Sequence, residues 1–355
     1  MFDFIIIGGG IAGISAGARL STLGRVLVLE AEDGLAYHAS GRSAAMFEEN
    51  YGAPGVKLLS QASRPHHEAA NVLTPRGLMV LALEGQESLF ENDLTELRLP
   101  RITKEDARDL VPILNTDLIV GAGYHPDAWD LDTDLLLNGF ARELRQNGEI
   151  QTRARVTGIT RLTHGWQVET TNGCHDGHIL VNAAGPWADD IAKMAGVAPV
   201  GLQAYRRSMA RLPAPDGQDV SNWPMFMGAG ESWYAKPDAG ALIVSPADED
   251  PLPPQDAWAD DMVLAEGLAR YEEHVTTPVT RILANWAGLR TFAPDRSLVL
   301  GPAPADQGFI WCAGQGGYGM QSAPAASQLL ADLVAGRQPD LPEEIIRTLT
   351  PDRFS

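Results

Sequence analysis

The sequence predicts a mixed α/β (α+β) chain, with a doubly wound parallel-sheet domain joined to a mainly antiparallel β-sheet domain. Three observations predict it. Residues 4–30 run strand, glycine turn, helix, strand. Residues 200–290 turn strand-like, rich in Trp, Met, Tyr and Pro, and are punctuated by turns. Residues 309–336 return to strand, glycine turn and small-residue helix. The first and third are Rossmann-type units, and the second reads as antiparallel strands. A chain of 355 residues suits two packed domains. With 45% hydrophobic and 21% charged residues, its core needs no staples.

Phe4-Ile5-Ile6-Ile7 is a β-branched run that reads as a buried parallel strand. Gly8-Gly9-Gly10-Ile11-Ala12-Gly13 follows and satisfies G-x-G-x-x-G. Ile14 to Leu23 reads as a helix closed by Gly24, and Arg25–Leu29 as the next strand, ending in Glu30. That motif is weak alone but specific with a strand before it, a helix after it and an acid about 20 residues on. Gly8 permits the tight turn, Gly10 lets a pyrophosphate approach, and Gly13 lets helix and strand pack closely. The helix N-terminus offers free N–H groups to phosphates, and Glu30 accepts from ribose hydroxyls. Gly13-Ile14-Ser15-Ala16-Gly17 also fits the hydrolase elbow G-x-S-x-G. That elbow needs its serine directly after a strand, and Ser15 lies inside the helix, so the match is chance.

His38–Ala45 is small and polar, suited to a backbone that runs close to a cofactor, with Arg42 and Ser43 as donors. Asp127–Asp134 resembles half a calcium loop, but the glycine and terminal Glu are missing. Asp132 or Thr133 caps the helix Leu135–Arg145 instead. His66-His67-Glu68 lacks metal-ligand spacing on one helix face, so no metal site is expected. Thr152–Ile159 and Gly165–Thr170 read as paired strands. Ile179–Gly185 is an apolar strand ending in small residues, where backbone can approach a ligand, and Pro186-Trp187 precedes a helix. Phe309–Ala313, the turn Gly314–Gln321 and the helix Ser322–Ala335 form a second strand–turn–helix unit, whose helix dipole favours negative charge.

The net charge is −19 and no basic run occurs, which excludes a nucleic-acid binder. An acidic shell repels anions at long range, so an anionic substrate needs a local cation. Arg290, inside the apolar run NWAGLRTF, is one candidate. Two distant cysteines, Cys174 and Cys312, make no disulfide framework and suggest a reducing compartment. No signal peptide fits the N-terminus and no apolar run spans a bilayer. The expectation is a cytoplasmic protein, with peripheral attachment to the inner membrane left open.

These pieces together resemble the D-amino acid oxidase family of FAD enzymes over nearly the whole chain. The resemblance rests on GGGIAG with Glu30, SGRSAA at 40–45, NAAGPWAD at 182–189, WAGLRTF at 286–292 and GQGGYGMQ at 314–321. Within the family, RRS, ESWYAKPDAG and WAGLR resemble the bacterial D-arginine dehydrogenases. The resemblance implies a discontinuous FAD-binding domain (1–57, 133–199 and 291–355) and a substrate-binding domain (58–132 and 200–290). It implies non-covalent FAD, since Cys312 lies in a strand rather than in the C-terminal turn. The implied cofactor residues are Gly8, Gly10, Ile11, Ala12, Gly13, Glu30, Ala31, Ser40, Gly41, Arg42, Ser43, Ala44, Ala45, Val156, Ala184, Gly185 and Trp187. Gly316, Gly317, Tyr318, Gly319, Met320 and Gln321 complete them. Arg290 takes the place of the arginine that pairs with a substrate carboxylate. Tyr51 and Tyr234 match tyrosines near the carboxylate and amine, Arg207 a further substrate-site arginine, and Gly317 and Gln321 residues beside flavin and substrate.

What the resemblance implies chemically is oxidative deamination of D-amino acids. Hydride passes from Cα to flavin N5, and the imino acid hydrolyses to 2-oxo acid and ammonia. A bidentate guanidinium suits the orienting task. The arginine-specific relatives have a histidine where this chain has Met46, and a glutamate where it has Leu78. An apolar pocket cannot match a guanidinium, so neutral or apolar D-amino acids are expected over D-arginine. Glu48 or Glu49 could restore the lost acid. A second reading is an oxidase or dehydrogenase of glycine, sarcosine or another secondary amine such as D-proline. A third is a non-catalytic flavin-binding regulatory protein, against which Arg290, Tyr51 and Tyr234 argue. An NAD enzyme would need a catalytic dyad that the spacing does not supply. The acceptor (quinone, other carrier or O2) leaves no motif.

Overall fold

The computed structural model describes residues 1–215 and 217–354. Its first half runs β1 (Phe2–Ile7), α1 (Ile11–Leu20), β2 (Val26–Leu29), β3 (Met46–Phe47), α2 (Pro54–Ala69), β4 (Leu73–Pro75), β5 (Leu78–Leu83), α3 (Glu87–Glu96), β6 (Arg101–Ile102), α4 (Lys104–Leu110), β7 (Ile119–His125), β8 (Trp129–Leu131) and α5 (Thr133–Leu144). Then come β9 (Gly148–Gln151), β10 (Val156–Leu162), β11 (Gly165–Thr170), β12 (Gly173–Asn182), α6 (Ala188–Met194), β13 (Gln203–Pro213), β14 (Met225–Gly228), β15 (Tyr234–Asp238), β16 (Ala241–Ser245) and β17 (Asp250–Leu252). The chain closes with α7 (Asp261–Glu273), β18 (Ala284–Phe292), β19 (Val299–Ala303), β20 (Asp306–Ala313), α8 (Gly319–Val334) and α9 (Glu343–Leu349).

Ile5, Ile6 and Val26–Leu29 are buried because their strands lie at the centre of a sheet ordered β10-β11-β12-β1-β2-β9, to which β20 and then β19 add. β1 pairs in parallel with β2 and β12, and β12 with β20, as the apolar runs predict. α1, α5 and α8 pack on one face through Ile14, Phe140, Leu144 and Leu330. Trp166, Phe309 and Trp311 fill the other. The helix expected over 14–23 instead begins at Ile11 and ends at Leu20. There Leu23 and Gly24 N–H both turn back to the Leu20 carbonyl. The β10 strand starts at Val156 rather than Thr152, because Arg153 takes the left-handed φ of 56° and breaks the extended run. Asp132 caps α5 by accepting from Leu135 N–H at 2.8 Å.

The second sheet runs β17-β13-β16-β15-β14-β5-β7-β6, with β18 along β13. It is antiparallel except where β5 joins β14 in parallel, register Leu78↔Met225. That junction draws residues 78–125 into the sheet built mainly from 203–292. A small third sheet, β3-β8-β4, and helix α7 complete the architecture. The boundary drawn at 57/58 falls inside α2, whose buried Val56 and Leu59 pack in the core shared with α8 and α9. We propose that α2 belongs with the parallel-sheet domain.

Candidate active site

Two adjoining cavities follow the carboxyl ends of β1, β2 and β12. The outer one, about 270 Å³, is lined by Gly8, Gly10, Glu30, Ala31, Val156, Ala184, Gly185 and Trp187 among others. The inner one carries Gly10, Ile11, Ala12, Ser40, Arg42, Ser43, Ala44, Arg207, Arg290, Gly316, Gly317, Gly319 and Met320. Gly10, Ser40 and Gly185 belong to both walls, so the two form one trough.

The donors fit a dinucleotide. Glu30 is nearly buried, its Oε2 accepting Gly9 N–H at 2.6 Å and its Oε1 accepting Glu32 N–H at 2.8 Å. This fixes the carboxylate on the outer wall with lone pairs left for ribose hydroxyls. Helix α1 has no side-chain cap at Gly10, and Ile11 N–H donates to Ser40 Oγ at 3.0 Å. The other first-turn amides remain for a pyrophosphate. Gly8 has φ 111°, and a Cβ there would meet Ala183 O at 2.3 Å. A Cβ on Gly13 would meet Gly8 O at 2.0 Å, so Gly13 serves helix–strand packing rather than the wall.

Some expected cofactor residues have structural contacts of their own. Arg42 borders the inner cavity, but its guanidinium donates to Tyr37 O, Ala257 O and Ala287 O and pairs with Asp256 at 2.6 Å. These bonds staple the 38–45 loop to β18 and the 253–260 loop. Gly41 lies outside both walls and lets its turn close on Ala36 O, 2.3 Å from a would-be Cβ. Tyr318 also lies outside, its ring edge-on to Tyr51 and Phe292.

A third cavity, about 80 Å³, opens beside the inner one and is lined by Ala45, Met46, Tyr51, Leu78, Tyr234, Gln321 and others. Ser43, Ala44, Arg290, Gly317 and Met320 border both. Strand register builds its floor. Leu78 lies opposite Met225 and Tyr234 opposite Met227, so alternate residues of neighbouring strands present one apolar face. Leu97 extends it. Tyr205 lies opposite Arg290 and Arg207 opposite Gly288 across β13 and β18, so the two arginines are diagonal neighbours on one face. Gly317 lets the turn before α8 lie against Arg290, since a Cβ there would come within 3.1 Å of Cζ.

At this junction lies Glu231, which sequence reasoning missed. Arg207 Nη1 donates to its Oε1 at 2.7 Å, and Tyr51 Oη donates to its Oε2 at 2.9 Å. Arg290 Nη1 stands 3.7 Å from Oε1, beyond hydrogen-bond length. Burial raises the carboxyl's pKa, but the charges of Arg207 and Arg290 and the Tyr51 hydrogen bond outweigh it and hold the pKa below the ordinary carboxylate value. Burial, then the Glu231 charge, pushes the Tyr51 phenol far up, so it stays a donor. Among the described residues Tyr234 Oη finds only Met209 Sδ, at 3.4 Å. Arg207 is committed to Glu231 and, at 3.3 Å, to Glu249. Arg290 is the less committed of the two guanidinium groups at this junction.

The far wall holds buried Glu48, whose Oε1 accepts from Asn50 N–H and Nδ2 and whose Oε2 lies 3.1 Å from His125 Nε2. Glu49 leaves the pocket to pair with Arg64. Gln321 Oε1 accepts Glu48 N–H at 3.2 Å, while its buried Nε2 has no partner among the described residues. Burial pushes the Cys312 thiol up to about 12, which makes it a poor nucleophile. Among the described residues no group of His, Cys, Asp and Glu forms a metal cluster, and no helix is long and apolar enough to cross a membrane.

The DAO family model, described as FAD dependent oxidoreductase, matches residues 3–333. Mitochondrial dimethylglycine dehydrogenase of Rattus norvegicus is 25% identical over 392 residues, covering 99% of this chain and 45% of the relative. The chain thus spans less than half of that protein. Glycine oxidase from Geobacillus kaustophilus superposes with a TM-score of 0.83 at 22% identity over 97% of each chain. L-proline dehydrogenase from P. horikoshii does so at 0.82 and 20%, covering 99% of this chain and 97% of that one. At these identities the two structures show the shared fold. None of the three is an arginine dehydrogenase, so the likeness to arginine-specific enzymes stands at family level only. FAD is the cofactor.

Proposed function

The chain belongs to the FAD dependent oxidoreductase family, and we propose that it oxidises a small amine bearing one carboxylate: glycine, sarcosine or another secondary amine such as proline. One observation carries this reading. The Arg290 guanidinium stands where the inner trough meets a pocket of only about 80 Å³ with Met46, Leu78, Met225 and Met227 on its walls. Arg290 binds the carboxylate, and its fixed fork sets the substrate's angle. Tyr51 and Tyr234 stand near the carboxylate and the amine, and the methionines and Leu78 exclude water. When bound, FAD would supply the hydride acceptor for the carbon attached to the amine nitrogen. Gly317 keeps the guanidinium in place, and Gln321 Nε2 offers the remaining donor. The outer trough would hold FAD without a covalent bond, with Glu30 placed for the ribose hydroxyls.

The relatives support the small-amine branch over the D-amino acid branch, because those named above bear the names of dimethylglycine, glycine and proline enzymes. Neutral D-amino acids remain a second reading, favoured by the apolar wall at Leu78. Anaerobic mixing of the holoenzyme with glycine, sarcosine, D- and L-proline, D-alanine, D-leucine and D-arginine separates them. Flavin bleaching by the first four supports the small-amine reading. Faster bleaching by D-leucine than by any of those four moves the protein to the second reading. A D-arginine preference would refute the apolar pocket.

A further inference from the structure

Glu231 is an acid at the mouth of a site that must capture an acid. Its placement is enforced. Gly230 and Glu231 both take left-handed backbone, φ 69° and 53°, and Gly230 N–H donates to Asp93 Oδ2 at 2.7 Å. A left-handed glutamate is uncommon, and such strain persists where the surroundings demand it. The turn aims the carboxylate at the arginines. One oxygen is shared unequally, 2.7 Å from Arg207 and 3.7 Å from Arg290, and the other is held by Tyr51.

We propose that Glu231 is a specificity-determining residue: a resident counter-ion that cancels Arg207 and leaves the site able to accept one carboxylate but not two. The proposal rests on the reading of Arg290 as carboxylate anchor. Without Glu231, Arg207 would keep only its 3.3 Å contact with Glu249, itself shared with Arg296, and the two arginines would face the junction with one carboxylate fewer between them, better suited to dicarboxylates or phosphates. With it, Arg290 keeps its attraction for a first carboxylate. A second anionic group a few ångströms away meets the Glu231 carboxylate instead of a free cation, because Arg207 is already paired with it. Glu231 is a weak general base, because Arg207 and Arg290 stabilise its carboxylate and so lower its affinity for a proton.

The test uses holoenzyme and two inert carboxylates, acetate and malonate, titrated at constant ionic strength while the flavin absorbance is followed. Wild type should bind acetate and discriminate against malonate. Glu231→Gln should shift the malonate-to-acetate affinity ratio toward malonate by at least about tenfold. Glu231→Gly is the second variant, since glycine accepts the left-handed φ without strain and keeps the turn should the Gln variant fail to fold. It should shift the ratio the same way. A ratio unchanged within about twofold in the folded variants overturns the counter-ion role while leaving Arg290 as anchor. If acetate does not perturb wild-type flavin, the anchor reading fails and this proposal falls with it.

Discussion

Arg290 and Gly317 act as one device. The glycine admits the guanidinium, and the guanidinium fixes the substrate. Arg290→Lys keeps the charge but loses the fork, so KM should rise by at least about tenfold, with a smaller loss in kcat. Arg290→Ala should lower kcat/KM by about 10³ or more, a loss of roughly 4 kcal/mol of transition-state stabilisation. Gly317→Ala places a methyl about 3.1 Å from Cζ and forces the guanidinium aside. That variant should fold normally and bind FAD, yet lose kcat/KM by roughly tenfold or more. Thermal melts and steady-state kinetics measured together check it. Arg290 was legible in the sequence because one cation in an apolar run is anomalous. Glu231 was not, because its meaning lies in partners far along the chain. Tyr51 is 180 positions away, and Glu231's own neighbours in GAGESWY give no sign of that contact.

At the scale of elements, β1, the glycine turn and α1 form the cofactor cradle, and their tolerance is sterically defined. Gly8→Ala adds a methyl at φ 111° and 2.3 Å from Ala183 O. The expected product is folded protein purified without yellow colour, read from the ratio of flavin to protein absorbance. The α2–α8 contact carries a pH dependence. His67 is fully buried and donates from Nε2 to Gln321 O at 2.9 Å. Burial lowers its pKa from 6.5 to about 4, against the opposing pull of that bond. Between those values the unfolded chain binds the extra proton, so stability falls as pH drops from 6.5 towards 4, by about 3 kcal/mol for this group. Urea unfolding at pH 7 and pH 4.5 should show the drop, and His67→Gln should show a flatter profile. Elements with local signals, β1, α1, β12 and α8, were legible because apolar runs and glycine turns lie within a few residues. The parallel β5–β14 junction was not, since nothing in LMVLAL names Met225 as its partner.

Across the whole molecule, the split into parallel and antiparallel sheets was legible from the change in composition near residue 200. The pocket between them was legible only as a list of residues. Met46 and Leu78 suggested an apolar wall. The register added Met225 and Met227 and showed that the space is small, which favours a compact amine over a long side chain. The net charge of −19 makes local cations matter. A small amino acid is a net-neutral zwitterion and feels little of the acidic shell, so kcat/KM should stay level at low salt and fall only once salt anions compete at Arg290, as a titration against ionic strength checks.

The most direct measurement compares anaerobic flavin reduction by the best substrate of the panel with reduction by its methyl ester, which keeps the amine and removes the anion. Reduction by the ester at least about a hundredfold slower in wild type, with no such difference in Arg290→Ala, is the predicted result. Equal rates for acid and ester in wild type would contradict Arg290 as the carboxylate anchor.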